Sequence, residues 1–179
     1  MRLFHFSDDP GIAHFEPRPV LTPSPRPPGR DWLNGPLVWA IEDVRQAMYL
    51  FPRDCPRIVL WPTETTSDED KDRFWQGGPW RTIAYVEEAW MERIASAVLY
   101  RYDLPPETFE TLDDAGMWIS RAAVTPLGME ALFDLRAALA ADDVDLRPLP
   151  SLAPLKDVWS TTLHASGVRL RNAKDWPGA

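Results

Sequence analysis

His5 and Ser7 stand two residues apart in the apolar run RLFHFS, a spacing that sets an imidazole and a hydroxyl on one face of a β-strand. Two readings fit the pair. One is a ligand-anchoring imidazole beside a hydroxyl, opening onto a cleft; the other is a buried histidine bonded to a backbone carbonyl. A second concentration of chemistry is the knot PRDCPR, residues 52–57. Pro52 and Pro56 fix φ and stiffen the backbone, so Arg53 and Arg57 project from a rigid loop. They can fork around a carboxylate or phosphate, or pair with Asp54 or another nearby acid. Cys55 between them is either a thiol whose ionisation the arginines favour or a small buried hydrophobe. Glu87 closes the apolar run TIAYV, and a carboxylate at a strand end is either a candidate catalytic acid or a helix-start residue that favours the dipole.

The patterns that are missing narrow the chemistry. Three scattered histidines and one cysteine form no HxxxH, HExxH or CxxC spacing, so no metal is implied. There is no GxGxxG, no GxxxxGK[ST] and no GxSxG. A single cysteine excludes an internal disulfide framework and fits a reducing compartment. No run approaches about 18 apolar residues, the length of a spanning helix, and MRLFHFSDDP lacks the apolar core of a signal peptide. A cytoplasmic location is therefore expected, with no membrane partner. The formal charge of −8 argues against nucleic acid, whose phosphates need a basic surface. Small anions remain compatible, because a local arginine pair acts within an acidic protein.

The elements that must position these residues follow from pattern. With 179 residues and 45% apolar content, the chain is long enough for one full core, and a single domain over 1–179 is expected. Strands are predicted over 2–7, 37–41, 58–61, 82–86, 97–102, 115–124 and 144–149, each rich in β-branched or aromatic residues and bounded by Pro, Gly or Asp. Ser7 or Asp8 is expected to cap a short helical turn after the first strand. A short helix should join the second strand to the knot. Ser67 with Asp70 predicts a helix start, closed at Gly77-Gly78. Further helices are expected over 87–94, 127–141, where apolar residues recur at helical spacing, and 153–166. VRLRNA, residues 168–173, reads as a tail strand or an extended arm. Eight of the 19 prolines lie between Pro10 and Pro36, so residues 17–36 are expected as an extended proline-rich loop, of the kind used as a lid or binding loop. Strands and helices mix without a regular βα rhythm. The fold expected is α+β, with a mixed, mostly antiparallel sheet flanked by helices.

Two pieces of the chain resemble the ADP-ribosyltransferase superfamily. LFHFS is similar to the first-strand His-x-Ser/Thr element of its histidine-containing branch. NGPLVWAIEDVRQAMYL resembles the second element, a glycine followed by a strand bearing an aromatic and a small residue, then a helix. MWISRAAVTP is similar to closing strands that run into a Val-Pro turn. Taken whole, the chain looks most like an uncharacterised bacterial family with LFH(F/V)S and PRxCPR landmarks. The superfamily resemblance implies an ADP-ribosyltransferase-like fold and NAD as a cofactor or substrate. It places His5 and Ser7 on the adenosine ribose and Trp39 at the aromatic that stacks on nicotinamide. The aromatic is Trp where the pattern has Tyr, and Ser120 and Arg121 stand where a catalytic glutamate precedes the turn; Glu87 is the candidate substitute.

Three readings of function follow. The first is a transferase or glycohydrolase acting on NAD or a related nucleotide, with His5 and Glu87 catalytic and Ser7, Trp39, Arg53 and Arg57 binding the ligand. The second is a catalytically silent module of the same fold that recognises a small anion, a nucleotide or a protein. The third is a structural domain whose histidine and arginines serve packing. Convergence separates them: the ligand readings need His5 and Trp39 on neighbouring strands facing one cleft, bordered by Arg53 or Arg57. They also expect at least one arginine of the knot to engage an acid or an anion.

Overall fold

Runs of alternating apolar residues become strands where each finds a partner edge. In the computed structural model, residues 1–23, 25–76 and 78–177 are described. The strands are β1 (Leu3–Ser7), β2 (Val38–Glu42), β3 (Arg57–Trp61), β4 (Thr82–Glu87), β5 (Leu99–Leu104), β6 (Phe109–Thr111), β7 (Met117–Ser120), β8 (Gly128–Leu132), β9 (Val144–Leu149) and β10 (His164–Val168). The α-helices are α1 (Asp68–Trp75), α2 (Met91–Ser96) and α3 (Leu135–Ala141), and short 3-10 turns fill several connections. The protein is α+β, and its strand pairs are mostly antiparallel. Within the chain, two compact units can be described. Unit 1 is Met1–Gln46 with Tyr100–Ala131, and unit 2 is Ala47–Leu99 with Leu132–Ala179.

Unit 1 carries a six-stranded sheet in the order β6-β7-β2-β1-β5-β8. β1 pairs with β5 so that Leu3 faces Leu104 and His5 faces Tyr102. β2 pairs with β7 so that Trp39 faces Ile119 and Ala40 faces Trp118. Paired residues share a face and successive residues alternate, so the sheet has two distinct sides. One buries Leu3, Val38, Ala40, Tyr102, Leu104 and Phe109 beneath Phe15 and Val124. The backbones of Phe15 and Val124 pair across that side. The other buries Leu33, Leu37 and Ile119, with Trp39 and Leu112 packed against them.

Unit 2 carries a four-stranded sheet in the order β10-β3-β4-β9, with β4 and β9 parallel and the other pairs antiparallel. All five residues of β3 are buried, as a strand covered on both faces requires. Ile58, Leu60, Ile83 and Tyr85 pack with Phe74 of α1 and with Leu152, Val158 and Leu163. Fully burying side chains such as Ile58 and Leu60 contributes about 2 kcal/mol each. Ser67 caps α1 by accepting from the Asp70 amide at 3.2 Å. Asp70 in turn accepts from the Thr162 amide at 2.8 Å and from its hydroxyl at 2.5 Å, which ties the first turn of α1 to the approach to β10.

Several predicted elements differ. The helix expected over 127–141 is a strand followed by a late, short helix. Leu127 donates its N–H to the Asp103 carbonyl at 2.8 Å, which lays this segment along β5, and Gly128 is a poor helix former. Asp134 then caps α3 by accepting from the Ala137 amide at 2.9 Å. Phe133, part of the supposed stripe, is 70% exposed. The helix expected over 153–166 is two 3-10 turns, Ala153–Leu155 and Val158–Ser160, and then β10. The unpaired edge of β3 recruits that segment, opposing His164 to Trp61 and Ala165 to Leu60. Residues 170–172 form a 3-10 turn in place of a tail strand or arm. The helix expected over 87–94 begins after Glu87, which ends β4, and runs as a 3-10 turn into α2. The short helix after β2 is 3-10 over Asp43–Tyr49. The strand expected over 115–124 contracts to β7, because Asp113, Ala115 and Gly116 have φ of 51°, 51° and 72° and turn the chain between β6 and β7. Gly77 of the expected helix stop lies outside the described residues, and Gln76 supplies the left-handed cap with φ 48°.

The hydrogen bonds from Thr162, side chain before backbone, hold the Asp70 carboxyl below the usual aspartate range. A depressed carboxylate stabilises the fold above its unfolded pKa, and that contribution is lost as pH falls through the folded value. Asp70→Asn should therefore lower Tm at neutral pH. The gap from wild type should close in acid, below the ordinary aspartate range, as followed by circular dichroism melts over a pH series.

Candidate functional site

β1 carries His5 and Ser7 on one side of the unit 1 sheet, opposite Tyr102 and Tyr100 of β5. The His5 ring is partly buried, 4.7 Å from the Phe15 ring, and Phe15 meets Tyr102 edge-on at 5.2 Å. His5 Nδ1 lies 2.8 Å from the Trp39 carbonyl oxygen. A carbonyl only accepts, so Nδ1 carries the proton there, and in the neutral ring Nε2 is the acceptor. Of the two sequence readings of His5, the bond to a backbone carbonyl is present; it also orients the ring. Ser7 is buried and its hydroxyl accepts from the Asp9 amide at 3.1 Å. It closes a side-chain turn and caps no helix. Asp9 Oδ1 accepts from the Gly11 amide at 2.8 Å. Tyr102 completes the brace: its hydroxyl donates to the Asp9 carbonyl at 2.7 Å and accepts from the Ile12 amide at 3.2 Å. The loop after β1 is thus held by three side chains from inside unit 1.

Trp39 does not share that side. It is opposite Ile119 and packs with Leu33 and Leu37, whereas its neighbours Val38 and Ala40 lie in the Tyr102 layer. The expectation that His5 and Trp39 face one cleft is corrected: they sit on adjacent strands with side chains on opposite faces, and only the Trp39 carbonyl reaches His5. The indole Nε1 is buried and has no hydrogen-bond partner among the described residues. Arg26, from the proline-rich segment 17–36, sets its guanidinium carbon 5.9 Å from the indole centroid and donates through Nε to Asn34 Oδ1 at 3.2 Å. Sequence reasoning missed Arg26, Asn34 and Tyr102. Tyr102 was recoverable from its alternation within AVLYRY; Arg26 sits in a tract with no periodicity to read.

Unit 2 holds Arg53, Cys55, Arg57 and Glu87. Arg57 is 2% exposed. Its Nε donates to the Met48 carbonyl at 2.7 Å and Nη1 to the Cys55 carbonyl at 2.9 Å. The guanidinium lies 5.0 Å from the Phe51 ring centroid and 5.8 Å from that of Tyr49. Its partners among the described residues are carbonyls and rings, and burial lowers its pKa to about 10. Cys55 is fully buried, and burial pushes its thiol up to about 12 against the pull of Arg57. Of its two sequence readings, the small buried hydrophobe is the one its surroundings match. Arg53 is exposed, and its carbonyl accepts from Arg169 Nε at 3.3 Å. Glu87 is 5% exposed, and its Oε1 accepts from the Lys174 amide at 2.8 Å. His164 stacks on Trp61 at 4.0 Å and 15°, while His14 is exposed with Nδ1 3.0 Å from the Thr125 hydroxyl. Among the described residues, no group of three or more His, Cys, Asp or Glu is placed to hold a metal ion, and no helix is long and apolar enough to cross a membrane.

Fold and site define an α+β protein of mostly antiparallel strands, with an internally braced histidine face in one unit and a buried arginine knot in the other. A family model described as "Family of unknown function (DUF6886)" matches residues 4–173, and the chain belongs to that family. No curated protein and no solved structure matches it.

Two outcomes follow from the knot. Arg57→Ala should cost about 3–5 kcal/mol in urea unfolding, because it leaves two buried carbonyls without donors and opens a cavity. Cys55 should resist a thiol reagent such as DTNB in the native protein at pH 8 and react fully once unfolded; rapid native labelling would contradict the burial argument.

Proposed function

We propose that this protein is a binding module for a small nucleotide-type ligand, received by unit 1 on the face that carries His5 and Ser7. The observation that carries the reading is the bond from His5 Nδ1 to the Trp39 carbonyl. It orients the imidazole and fixes the tautomer that carries its proton on Nδ1, a form with acceptor character that suits a sugar hydroxyl. Phe15 and Tyr102 beside it supply aromatic surface, and the Ser7–Asp9–Tyr102 brace supplies a rigid rim, so little entropy is lost on binding. The resemblance of LFHFS to the ribose-holding element of ADP-ribosyltransferases supports the same ligand class, with NAD or ADP-ribose as the first candidates.

Binding is preferred over transfer on chemical grounds. Oxocarbenium-type chemistry needs a carboxylate at the sugar. The candidate acid Glu87 is buried with one oxygen committed to the Lys174 amide, and Ser120 and Arg121 occupy the positions where the related pattern has its glutamate.

Calorimetric titration with ADP-ribose, NAD and inorganic phosphate tests the reading. The nucleotides should bind and raise Tm, by the equivalent of about 2.7 kcal/mol at a hundredfold excess over Kd. His5→Phe keeps the ring contact with Phe15 and removes the nitrogens, so it should fold and lose nucleotide binding. No binding to wild type, or unchanged binding by His5→Phe, would remove the proposal. Release of nicotinamide from NAD would replace it with the enzyme reading.

A further inference from the structure

Among the described residues past β10, Arg169 and Asp175 have a left-handed backbone, with φ of 56° and 57°. Residues with a Cβ adopt that conformation at a cost, and it persists only while the surroundings hold it. Residues 170–174 run between the two, beginning with the 3-10 turn Leu170–Asn172. Both flanks are anchored in unit 2. Val168 pairs with Arg57 at the end of β10, and Trp176 meets Trp159 edge-on at 6.0 Å. The segment is therefore a strap fixed at two ends, with a backbone hinge just inside each.

The strap is held lightly. Arg169 Nε donates to the Arg53 carbonyl at 3.3 Å and Asn172 Nδ2 to the Asp54 carbonyl at 2.8 Å, both exposed bonds. The Lys174 amide donates to Glu87 Oε1 at 2.8 Å, and the Lys174 carbonyl accepts from the Ser151 hydroxyl at 3.0 Å. Ala173 is buried and Leu170 half-buried against the core, while Arg171, Asn172, Lys174 and Asp175 are exposed. Segments with few buried apolar contacts and exposed hydrogen bonds open locally, well before the whole domain unfolds.

What it adjoins is packed far more tightly. Glu87, Arg57 and Cys55 are all buried. The ties of the strap run from the Asp54 carbonyl, next to Cys55 in the chain, to the Glu87 carboxylate. Glu87 also acts electrostatically on the Cys55 thiol, so strap, acid and thiol are neighbours. We propose that residues 169–175 are a latch that opens as a unit while the unit 2 sheet stays folded, and so uncovers the Glu87 carboxylate and the Cys55 thiol. Its output is chemical. In the closed state burial pushes the thiol up to about 12 and keeps it protonated. In the open state water again solvates the thiolate, with Arg57 close by to favour it. The latch thereby switches Cys55 between a packing group and a nucleophile.

The test uses the full chain, whose single cysteine makes labelling unambiguous. DTNB is added at pH 8 over a urea series kept below the unfolding transition. The Cys55 thiolate attacks the disulfide of the reagent, forms a mixed disulfide and releases one thionitrobenzoate, read by its absorbance. Labelling should be slow and should change little with urea, because opening the strap exposes little surface. Hydrogen exchange of the Lys174 amide, followed by NMR, should report the same opening constant. Asn172→Ala removes the tie to Asp54 and should speed both about fivefold, the loss of one hydrogen bond. Asp134→Ala removes the cap of α3 instead; it should lower Tm and leave the labelling rate unchanged. Labelling that accelerates in Asp134→Ala, or that climbs steeply from the first addition of urea, would mean that Cys55 is reached by global unfolding and would overturn the latch. A rate that Asn172→Ala does not alter would overturn it too.

Discussion

Desolvating the Arg57 guanidinium is the constraint around which the middle of unit 2 is arranged. Taking such an ion out of water costs several kcal/mol even after relaxation, and no carboxylate among the described residues pairs with it. Backbone does. The 3-10 stretch Asp43–Tyr49 turns its Met48 carbonyl to the guanidinium, where it accepts from Nε. Pro52 and Pro56 then bend the chain back, with the Cys55 amide donating to the Pro52 carbonyl at 2.9 Å. This leaves the Cys55 carbonyl facing Nη1. Phe51 and Tyr49 lend ring faces to the remaining charge. The same burial acts on the neighbouring thiol with opposite sign: it disfavours charge on both groups, lowering the arginine and raising the cysteine. The feature that most resembles an activated cysteine between two arginines in the sequence is therefore an inert packing unit in the fold.

That reversal shows where sequence reading carries and where it stops. Strand existence was legible because it rests on local composition: RLFHFS, IVLW and TIAYV each pack a pleated, buried surface, and all three are strands. The Ser67–Asp70 start of α1 was legible for the same local reason. Residues 127–141 and 153–166 were misread because their state is set by distant edges. β5 and β3 each offer an unpaired row of N–H and C=O groups, and satisfying it outweighs the helical spacing of Met129, Leu132 and Phe133. The contraction of the strand expected over 115–124 turned on positive φ at Asp113, Ala115 and Gly116, which composition does not signal when two of the three carry side chains.

The candidate site shows a subtler limit. His5 and Trp39 were placed on neighbouring strands, and they are on neighbouring strands. Period-two alternation, however, fixes only which residues of one strand share a face. It leaves the relation between two strands to the register, and β1 opposes Phe4 to Ile41. That choice sends the imidazole and the indole to opposite sides. One residue of slip would have united them, and no local signal in either strand encodes it.

Two faces with different chemistry then follow from one sheet. The His5 face is lined with hydroxyls and rings, whose hydrogen bonds are short-ranged and selective by shape. The Trp39 face is capped by a segment carrying three arginines and one aspartate within an acidic chain. At physiological ionic strength charges beyond about 8 Å are largely screened. A group beside Arg26 therefore meets the local arginines more than the net charge of −8. Screening thus lets the charge over one face differ from the net charge of the whole chain.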